Sequence, residues 1–253
     1  MYTDHHIHIG QFNEVYYDAL QVFEIIDSLA ETTGVTRLCY SSTSSCRDDA
    51  ELVLVEEEIA YAQSYNSTFN IQDFIVEPYL WFLPKYAEQG ISVTSATKSF
   101  DYCGIKLHPA GQNWDLQKKT HNKAFHQIFQ WASDYNKSIL IHCGTMECDL
   151  PTRFQFFFQE YPKAKVILAH SNPVEETAQM VNKYKNIFCD IACTEEKNIH
   201  LLKSKIQEPQ KILFGSDFPI NHYFNVRLFE KTHSLQEQYL QDCSRIKLLT
   251  TIN

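Results

Sequence analysis

The sequence predicts an α/β fold, and within that class a single (β/α)8 TIM barrel that occupies residues 1–253. A chain of 253 residues has about the length of one such barrel. Strand-like and helix-like segments alternate along it, and the later strands are continuous apolar runs, which is typical of a sheet buried on both faces. Histidine, lysine and aspartate side chains end several strands, where barrels of this kind place their active sites.

The first half of the chain contains four predicted strands, which cover residues 2–9, 35–40, 74–79 and 103–109. Between the first two, the apolar positions of residues 15–31 have the spacing of an amphipathic helix. A second helix is predicted over residues 52–61, and either Asp48 or Asp49 can cap its N-terminus. Residues 81–101 have the least regular pattern, from which we expect one short helix and a loop.

The second half of the chain contains four more predicted strands, at residues 138–142, 165–170, 187–191 and 211–217. Helical patterns precede, separate and follow them, at residues 122–135, 154–161, 174–184, 195–204 and 224–249. No linker rich in glycine or serine interrupts the chain, so we expect one domain. A doubly wound open sheet is the alternative fold, but no glycine-rich phosphate loop follows the first strand.

Composition and charge exclude several classes of partner. The chain has 22 Lys and Arg against 31 Asp and Glu, a net charge of −9, which argues against binding to nucleic acid driven by charge. No apolar run reaches the length of about 18 residues that a membrane span needs, and no signal-peptide pattern precedes the first strand. The eight cysteines form no Cys-x-x-Cys pair, which suits reduced thiols in the cytoplasm. We therefore expect a cytoplasmic protein with a small-molecule substrate, able to associate into a homo-oligomer.

The segment Asp4-His5-His6-Ile7-His8 ends the first predicted strand. Because successive side chains of a strand point to opposite faces, His6 and His8 share a face, roughly 7 Å apart at the backbone. Two such imidazoles can tilt toward one ion at the usual zinc–nitrogen distance of about 2.0–2.1 Å. A chance cluster is the alternative in a chain with 11 histidines. A metal site is favoured because further candidates end later strands, namely Lys106, His108, His142, His170, Asp190 and Asp217.

This ordered set resembles the amidohydrolase superfamily, and more closely its amidohydrolase 2 branch of TIM-barrel metal-dependent hydrolases and related decarboxylases. The matching pieces are Asp4-x-His6-x-His8, Gly104-Ile105-Lys106-Leu107-His108-Pro109, Ile141-His142, Leu168-Ala169-His170, Asp190 and Phe214-Gly215-Ser216-Asp217-Phe218-Pro219. Each piece alone is a weak signal, whereas the ordered set spans nearly the whole chain.

The resemblance implies a role for each matching residue. The implied ligands of a divalent metal, most simply zinc, are His6, His8, His142 and Asp217. His170 would orient or protonate the substrate, and Asp217 would also move a proton for the attacking water. The alternatives are core histidines bonded to backbone for His142 and His170, and a turn cap for Asp217.

Lys106 decides between one and two metal ions. In two-metal amidohydrolases a lysine at the end of the fourth strand carries a carbamate that bridges both ions. The Lys-x-His-Pro context instead favours one ion, with unmodified Lys106 and His108 binding a substrate carboxylate or phosphate. Arg47, after the second strand, is a further candidate for recognising an anionic substrate, and Trp114 for forming a wall of the pocket.

The sequence therefore predicts an enzyme, a metal-dependent hydrolase of the amidohydrolase superfamily. A metal-bound hydroxide would cleave an amide, lactone or ester bond of a small, anionic substrate. The alternative is non-oxidative decarboxylation of an aromatic or unsaturated acid, which the same branch performs with the same ligands. A third hypothesis is a barrel that binds a ligand without catalysis.

Overall fold

The structure, a computed structural model, describes residues 1–47, 51–69, 73–229 and 233–250. The chain divides into two compact units, of which the first consists of Met1–Pro78 and Phe214–Asn253 and the second of Tyr79–Leu213. The predicted helix cap at Asp48 or Asp49 lies outside the described residues. The prediction of one domain over residues 1–253 stays a prediction.

All eight predicted strands are found among the described residues, with one short strand in addition. The strands are β1 (Tyr2–Phe12), β2 (Val15–Tyr17), β3 (Val35–Ser42), β4 (Ile75–Trp81), β5 (Gly104–Leu107), β6 (Ser138–His142), β7 (Lys165–Ala169), β8 (Ile187–Asp190) and β9 (Ile212–Leu213). The additional strand, β2, follows β1 with no helix between them; the other strands alternate with helices, as the predicted α/β class requires.

Helices connect the strands and follow the last one. They are α1 (Ala19–Ser28), α2 (Ala30–Thr33), α3 (Leu52–Gln63), α4 (Tyr65–Phe69), α5 (Pro84–Glu88), α6 (Val93–Ala96), α7 (Lys119–Tyr135), α8 (Gln155–Glu160), α9 (Val174–Lys183), α10 (Glu196–Lys205), α11 (Ile220–Phe229), α12 (Leu235–Ser244) and α13 (Ile246–Thr250). Among the described residues, no helix is both long enough and apolar enough to cross a membrane.

In the first unit, β1 is the central strand. It pairs in parallel with β3, and β3 pairs in parallel with residues 75–78 of β4. On its other edge, β1 is hydrogen-bonded to residues 214–218 through backbone groups at 2.8–3.0 Å. The eighth predicted strand, residues 211–217, therefore pairs with β8 only as far as Leu213. From Phe214 onward it lies alongside β1, which brings Asp217 next to His6 and His8.

In the second unit, five strands follow the end of β4 in sequence order. Residues 79–81 of β4 pair in parallel with β5, and each strand from β5 to β9 pairs in parallel with the next. The longest helix, α7, buries the apolar face that the sequence predicts, including Phe125, Ile128 and Phe129. Parallel pairing places the carboxyl ends of these strands at one edge of this sheet.

The prediction of one helix over residues 15–31 is wrong at its start. Residues 15–17 form β2, which pairs antiparallel with the end of β1 through a turn at Asn13, whose φ is 50°. The carboxylate of Asp18 accepts a hydrogen bond from the Gln21 backbone N–H (3.0 Å) and so caps α1. The helical spacing of Val15 with later apolar residues was therefore coincidental.

Gly104 begins β5 where the neighbouring backbone leaves no room for a side chain. A Cβ atom there would lie 2.1 Å from the Ser138 carbonyl oxygen and 2.5 Å from Cε1 of Tyr79. We expect Gly104→Ala to lower the free energy of unfolding by about 3 kcal/mol, because overpacking forces the backbone apart. Urea denaturation measures the loss.

Gly90→Ala in the same unit is the control for this prediction. Nothing lies within 4 Å of a Cβ at Gly90, but its φ is +77°. We expect only the backbone cost of about 1–2 kcal/mol. Equal losses for the two variants would contradict the steric explanation for Gly104.

Candidate active site

The first unit brings together three of the predicted metal ligands. His6 and His8 lie two positions apart on β1, with ring centroids 5.0 Å apart. Nε2 of His6 lies 3.3 Å and Nε2 of His8 lies 3.0 Å from the same oxygen, Oδ1 of Asp217. All three residues are buried. Two imidazole nitrogens and one carboxylate oxygen therefore converge on one point; we call these residues the metal half-site.

The donor set of the metal half-site fits a divalent ion. Ligands held at about 2.0–2.1 Å from a tetrahedral zinc ion lie about 3.3 Å from one another. The two nitrogen–oxygen separations, 3.0 and 3.3 Å, have that size. Two imidazoles and a carboxylate are also the ligand types that zinc accepts in catalytic sites, where a further position stays open.

A buried carboxylate, Asp4, supports the metal half-site. Its Oδ1 accepts the backbone N–H groups of His6 (3.1 Å) and Ser216 (3.1 Å), and its Oδ2 accepts the hydroxyl of Tyr239 (3.2 Å). Burial raises the pKa of Asp4 to about 8, although the hydrogen bonds from Ser216 and His6 oppose this. The Asp4 carboxylate thus holds together the backbones of β1, which carries His6 and His8, and of the segment that carries Asp217.

Further contacts fix the orientation of the predicted ligands. Nδ1 of His8 lies 3.1 Å from the Ser41 hydroxyl oxygen, on the side of the ring opposite to Asp217. Asp217 has a φ of 62°, in the left-handed region that aspartate tolerates better than most residues. Its backbone N–H donates to the His6 carbonyl (2.8 Å), and its carbonyl accepts the N–H of Asn221 (3.1 Å). The carboxylate is therefore held beside His6 and His8 of β1.

The second unit brings together four more of the predicted site residues. The rings of Trp81, His108 and His142 are nearly parallel, with centroids 6.2 Å apart for the first pair and 3.7 Å for the second. His170 contacts His142 edge-on at 4.6 Å. Nζ of the buried Lys106 lies 5.6 Å from the Trp81 ring centroid. Lys106, His108, His142 and His170 thus form one cluster at the ends of their strands.

His108 and His170 are held as opposite tautomers. Nδ1 of His108 accepts the backbone N–H of Gly111 (3.0 Å), so neutral His108 carries its proton on Nε2. Nδ1 of His170 lies 3.1 Å from the Ala192 carbonyl oxygen, which can only accept, so neutral His170 has its lone pair on Nε2. His108 is therefore suited to donate a hydrogen bond, and His170 to accept a proton or bind a metal.

Asp190 positions the segment that carries His170. Its Oδ1 accepts the backbone N–H groups of His170 (2.8 Å) and Ala192 (3.0 Å). The same carboxylate thus holds both the imidazole-bearing residue and the carbonyl that selects its tautomer. Asp190, which the sequence marks as a candidate at the end of a strand, thus supports His170 through backbone hydrogen bonds.

Asp149 belongs to the cluster but was missed by the sequence analysis. One of its oxygens and one ring nitrogen each of His108 and His142 lie within 4.8 Å of one another. Its Oδ1 accepts the N–H of Ala110 (2.8 Å). Burial raises the pKa of Asp149, against the opposing effects of the Ala110 hydrogen bond and of nearby His170 and Lys106. Asp149 ends a short 3-10 turn rather than a strand, so no strand pattern marks it.

The remaining two predicted residues, Arg47 and Trp114, have other recorded neighbours. Arg47 is exposed and lines a cavity of about 510 Å³ with residues 11–13, Thr43 and Cys46, beyond the ends of β1 and β3. Trp114 is buried against Phe82, at 6.5 Å, and Phe125, at 5.0 Å between ring centroids. The predicted contact of each with a substrate stays a prediction.

Comparison with known families and structures identifies what the chain resembles. A family model described as Amidohydrolase (Amidohydro_2) matches residues 95–238. A search of curated proteins found no match.

Three solved structures resemble the chain at low sequence identity. A crystal structure of an amidohydrolase II is 15% identical, with a TM-score of 0.57 over 99% of this chain and 100% of that one. A 2,6-dihydroxybenzoate decarboxylase bound to 2,6-dihydroxybenzoate is 11% identical, with a TM-score of 0.54 over 99% and 100%. A TatD family hydrolase from Entamoeba histolytica is 12% identical, with a TM-score of 0.53 over 86% and 75%. These likenesses confirm the predicted fold class, that of the TIM-barrel amidohydrolases.

The two tautomers provide a test of the second-unit cluster. At a pH where both rings are neutral, a long-range ¹H–¹⁵N spectrum is expected to show His108 protonated on Nε2 and His170 on Nδ1. His108→Gln and His170→Gln assign the signals, since each variant removes one set. The same tautomer in both residues would contradict the assignment.

Proposed function

Because the chain belongs to the amidohydrolase 2 family, we propose that it is a metal-dependent hydrolase that cleaves an amide, lactone or ester bond of a small, anionic substrate. The observation that carries this proposal is the convergence of His6 Nε2 and His8 Nε2 on Asp217 Oδ1, at 3.3 and 3.0 Å. Such convergence of buried donors is typical of a metal site in this class of enzyme.

The proposed metal is a single divalent ion, most simply zinc. When bound, it supplies Lewis acidity and lowers the pKa of a water molecule to about 7. His6, His8 and Asp217 of the first unit would hold it, and His142 remains the predicted fourth ligand. A carbamate on Lys106 that bridges two ions remains the alternative to one ion.

The proposed proton transfers use Asp217 and His170. Asp217 would take a proton from the attacking water, because its carboxylate lies beside the proposed ligands. His170 would orient the substrate or exchange a proton with it through Nε2, since its Nδ1 is bound to the Ala192 carbonyl. Asp190 would keep His170 in this orientation through the backbone bonds described above.

The proposed substrate is anionic because three candidate binding residues favour negative charge. Lys106 places a buried ammonium group beside Trp81, and His108 offers an Nε2 proton. Arg47 places a guanidinium group at the cavity beyond β1 and β3. Trp114 remains a predicted wall of the binding pocket. A cytoplasmic location and a homo-oligomer remain part of the proposal.

Decarboxylation of an aromatic or unsaturated acid is the second candidate. The family includes decarboxylases, and the chain resembles 2,6-dihydroxybenzoate decarboxylase along 99% of its length. Both reactions need the metal, a proton-transfer group and a cationic binding residue, so the same residues serve either one. A barrel that binds a ligand without catalysis is the third candidate, and it requires neither His170 nor Asp217.

Metal content is the first test. We expect about one zinc ion per chain, because the first unit supplies one convergent donor set. Elemental analysis of protein purified without chelator or histidine tag measures it. The His6→Ala/His8→Ala variant is expected to lose the ion, whereas His200→Ala, at an exposed histidine, keeps it.

A metal content other than one ion per chain would change the proposed mechanism. About two ions per chain would support the Lys106 carbamate bridge. No ion, even after reconstitution with zinc or manganese, would contradict the proposed mechanism.

The reaction is tested by its products. Candidate esters, lactones, amides and aromatic acids are incubated with the enzyme, and both new carboxylate and carbon dioxide are quantified. Hydrolysis yields a carboxylate without carbon dioxide, and decarboxylation yields carbon dioxide.

Asp217→Ala and His170→Ala are expected to lower kcat by at least about 100-fold, since proton transfer by a positioned group contributes roughly that much. Full activity in either variant would remove that residue from the mechanism.

A further inference from the structure

Helix α12 is connected to the metal half-site through Tyr239. The Tyr239 hydroxyl donates to Oδ2 of Asp4 (3.2 Å), and Oδ1 of Asp4 accepts the backbone N–H groups of His6 and Ser216 (3.1 Å each). One path of three hydrogen bonds therefore links α12 to a proposed ligand, His6, and to the residue before another, Asp217.

A second polar path links α12 to the same residue. The side-chain amide of Asn221 donates both to the Ser216 carbonyl (3.2 Å) and to the carboxylate of Asp242, which lies on α12. Gln238 Nε2, one turn earlier on the helix, donates to Oδ1 of the same carboxylate (3.2 Å). The backbone N–H of Ser216 is thus connected to α12 through Asp4 and Tyr239, and its carbonyl through Asn221 and Asp242.

Burial makes these bonds energetically significant. Asp4, Ser216 and Tyr239 are each at most 1% exposed, so water cannot take over a bond that is broken. A buried polar group left without its partner costs about 1–3 kcal/mol. The Tyr239 ring also packs on Phe218, the residue after Asp217, with centroids 5.1 Å apart. Displacement of α12 must therefore disturb the segment that carries Asp217.

We propose that α12 is energetically coupled to metal binding, with Asp4 and Tyr239 as the positioning residues that transmit the coupling. Neither residue binds the ion. They hold His6 and Asp217 in the geometry that an ion needs, and a bound ion stabilises the docked helix by the same free energy, because coupling between two sites is reciprocal. The proposal rests on the proposed function in one respect, that His6, His8 and Asp217 bind a divalent metal.

Zinc titration of the wild type and four variants tests the coupling. Calorimetry on chelator-treated protein is expected to show about 10-fold weaker zinc binding for Tyr239→Phe and up to about 100-fold weaker binding for Asp4→Asn, the range seen when groups behind metal ligands are removed. In the double variant, Tyr239→Phe is expected to cause no further loss of zinc affinity beyond that of Asp4→Asn, since its effect passes through Asp4. Tyr65→Phe, which removes a similar hydroxyl bond to Asp27 (3.3 Å), is the control with unchanged affinity.

Hydrogen exchange on the wild-type chain and on Tyr239→Phe tests the reciprocal effect. Zinc is expected to slow amide exchange in α12 at least severalfold, and to do so less in Tyr239→Phe. A merely structural role for Tyr239 would lower stability but leave zinc affinity and the α12 response unchanged.

The outcomes separate the two proposals. Zinc binding by the wild type with normal affinity in Tyr239→Phe, additive losses in the double variant, or no zinc effect on α12 would overturn the coupling and leave the proposed function standing. No zinc binding by the wild type would overturn both.

Discussion

The pairing of β1 with residues 214–218 is the constraint on which the metal half-site depends. Asp217 follows His8 by 209 positions in the sequence, so no local rule brings them together. Backbone hydrogen bonds of 2.8–3.0 Å set the register of the two segments. Because a slip of one residue would turn every side chain to the other face, this register decides that one carboxylate oxygen meets Nε2 of both His6 and His8.

Because the metal half-site is buried, its polar groups must be stabilised by one another and not by water. The pKa of Asp4, raised by burial to about 8, shows how strongly this environment opposes an isolated charge. The three hydrogen-bond donors to Asp4 offset part of the free-energy cost of burying its carboxylate. The imidazoles of His6 and His8 do the same for the carboxylate of Asp217. The two imidazole nitrogens and the carboxylate oxygen are therefore held close together by the protein alone, which would lower the ordering cost of binding the proposed ion.

The sequence predicts those features that depend on one element at a time. Alternation along a strand predicts that His6 and His8 share a face, and the end of an apolar run marks Lys106, His142 and His170. What it could not predict arises between elements. The contact of Tyr239 with Asp4 joins residues 235 positions apart. Likewise, the helical spacing at residues 15–17 competed with a hairpin that only pairing with β1 reveals.

The roles proposed for the residues of the second unit suit both candidate reactions. In the proposed roles, the Nε2 proton of His108 and the Lys106 side chain would stabilise negative charge on a substrate oxygen, and Nε2 of His170 would accept or return a proton. Hydrolysis and decarboxylation both need these three functions, so the residues that supply them cannot select between the reactions. The two differ in that hydrolysis must admit a water molecule beside the substrate, whereas decarboxylation delivers the proton to carbon. Selection between them therefore depends on the residues that control access of water.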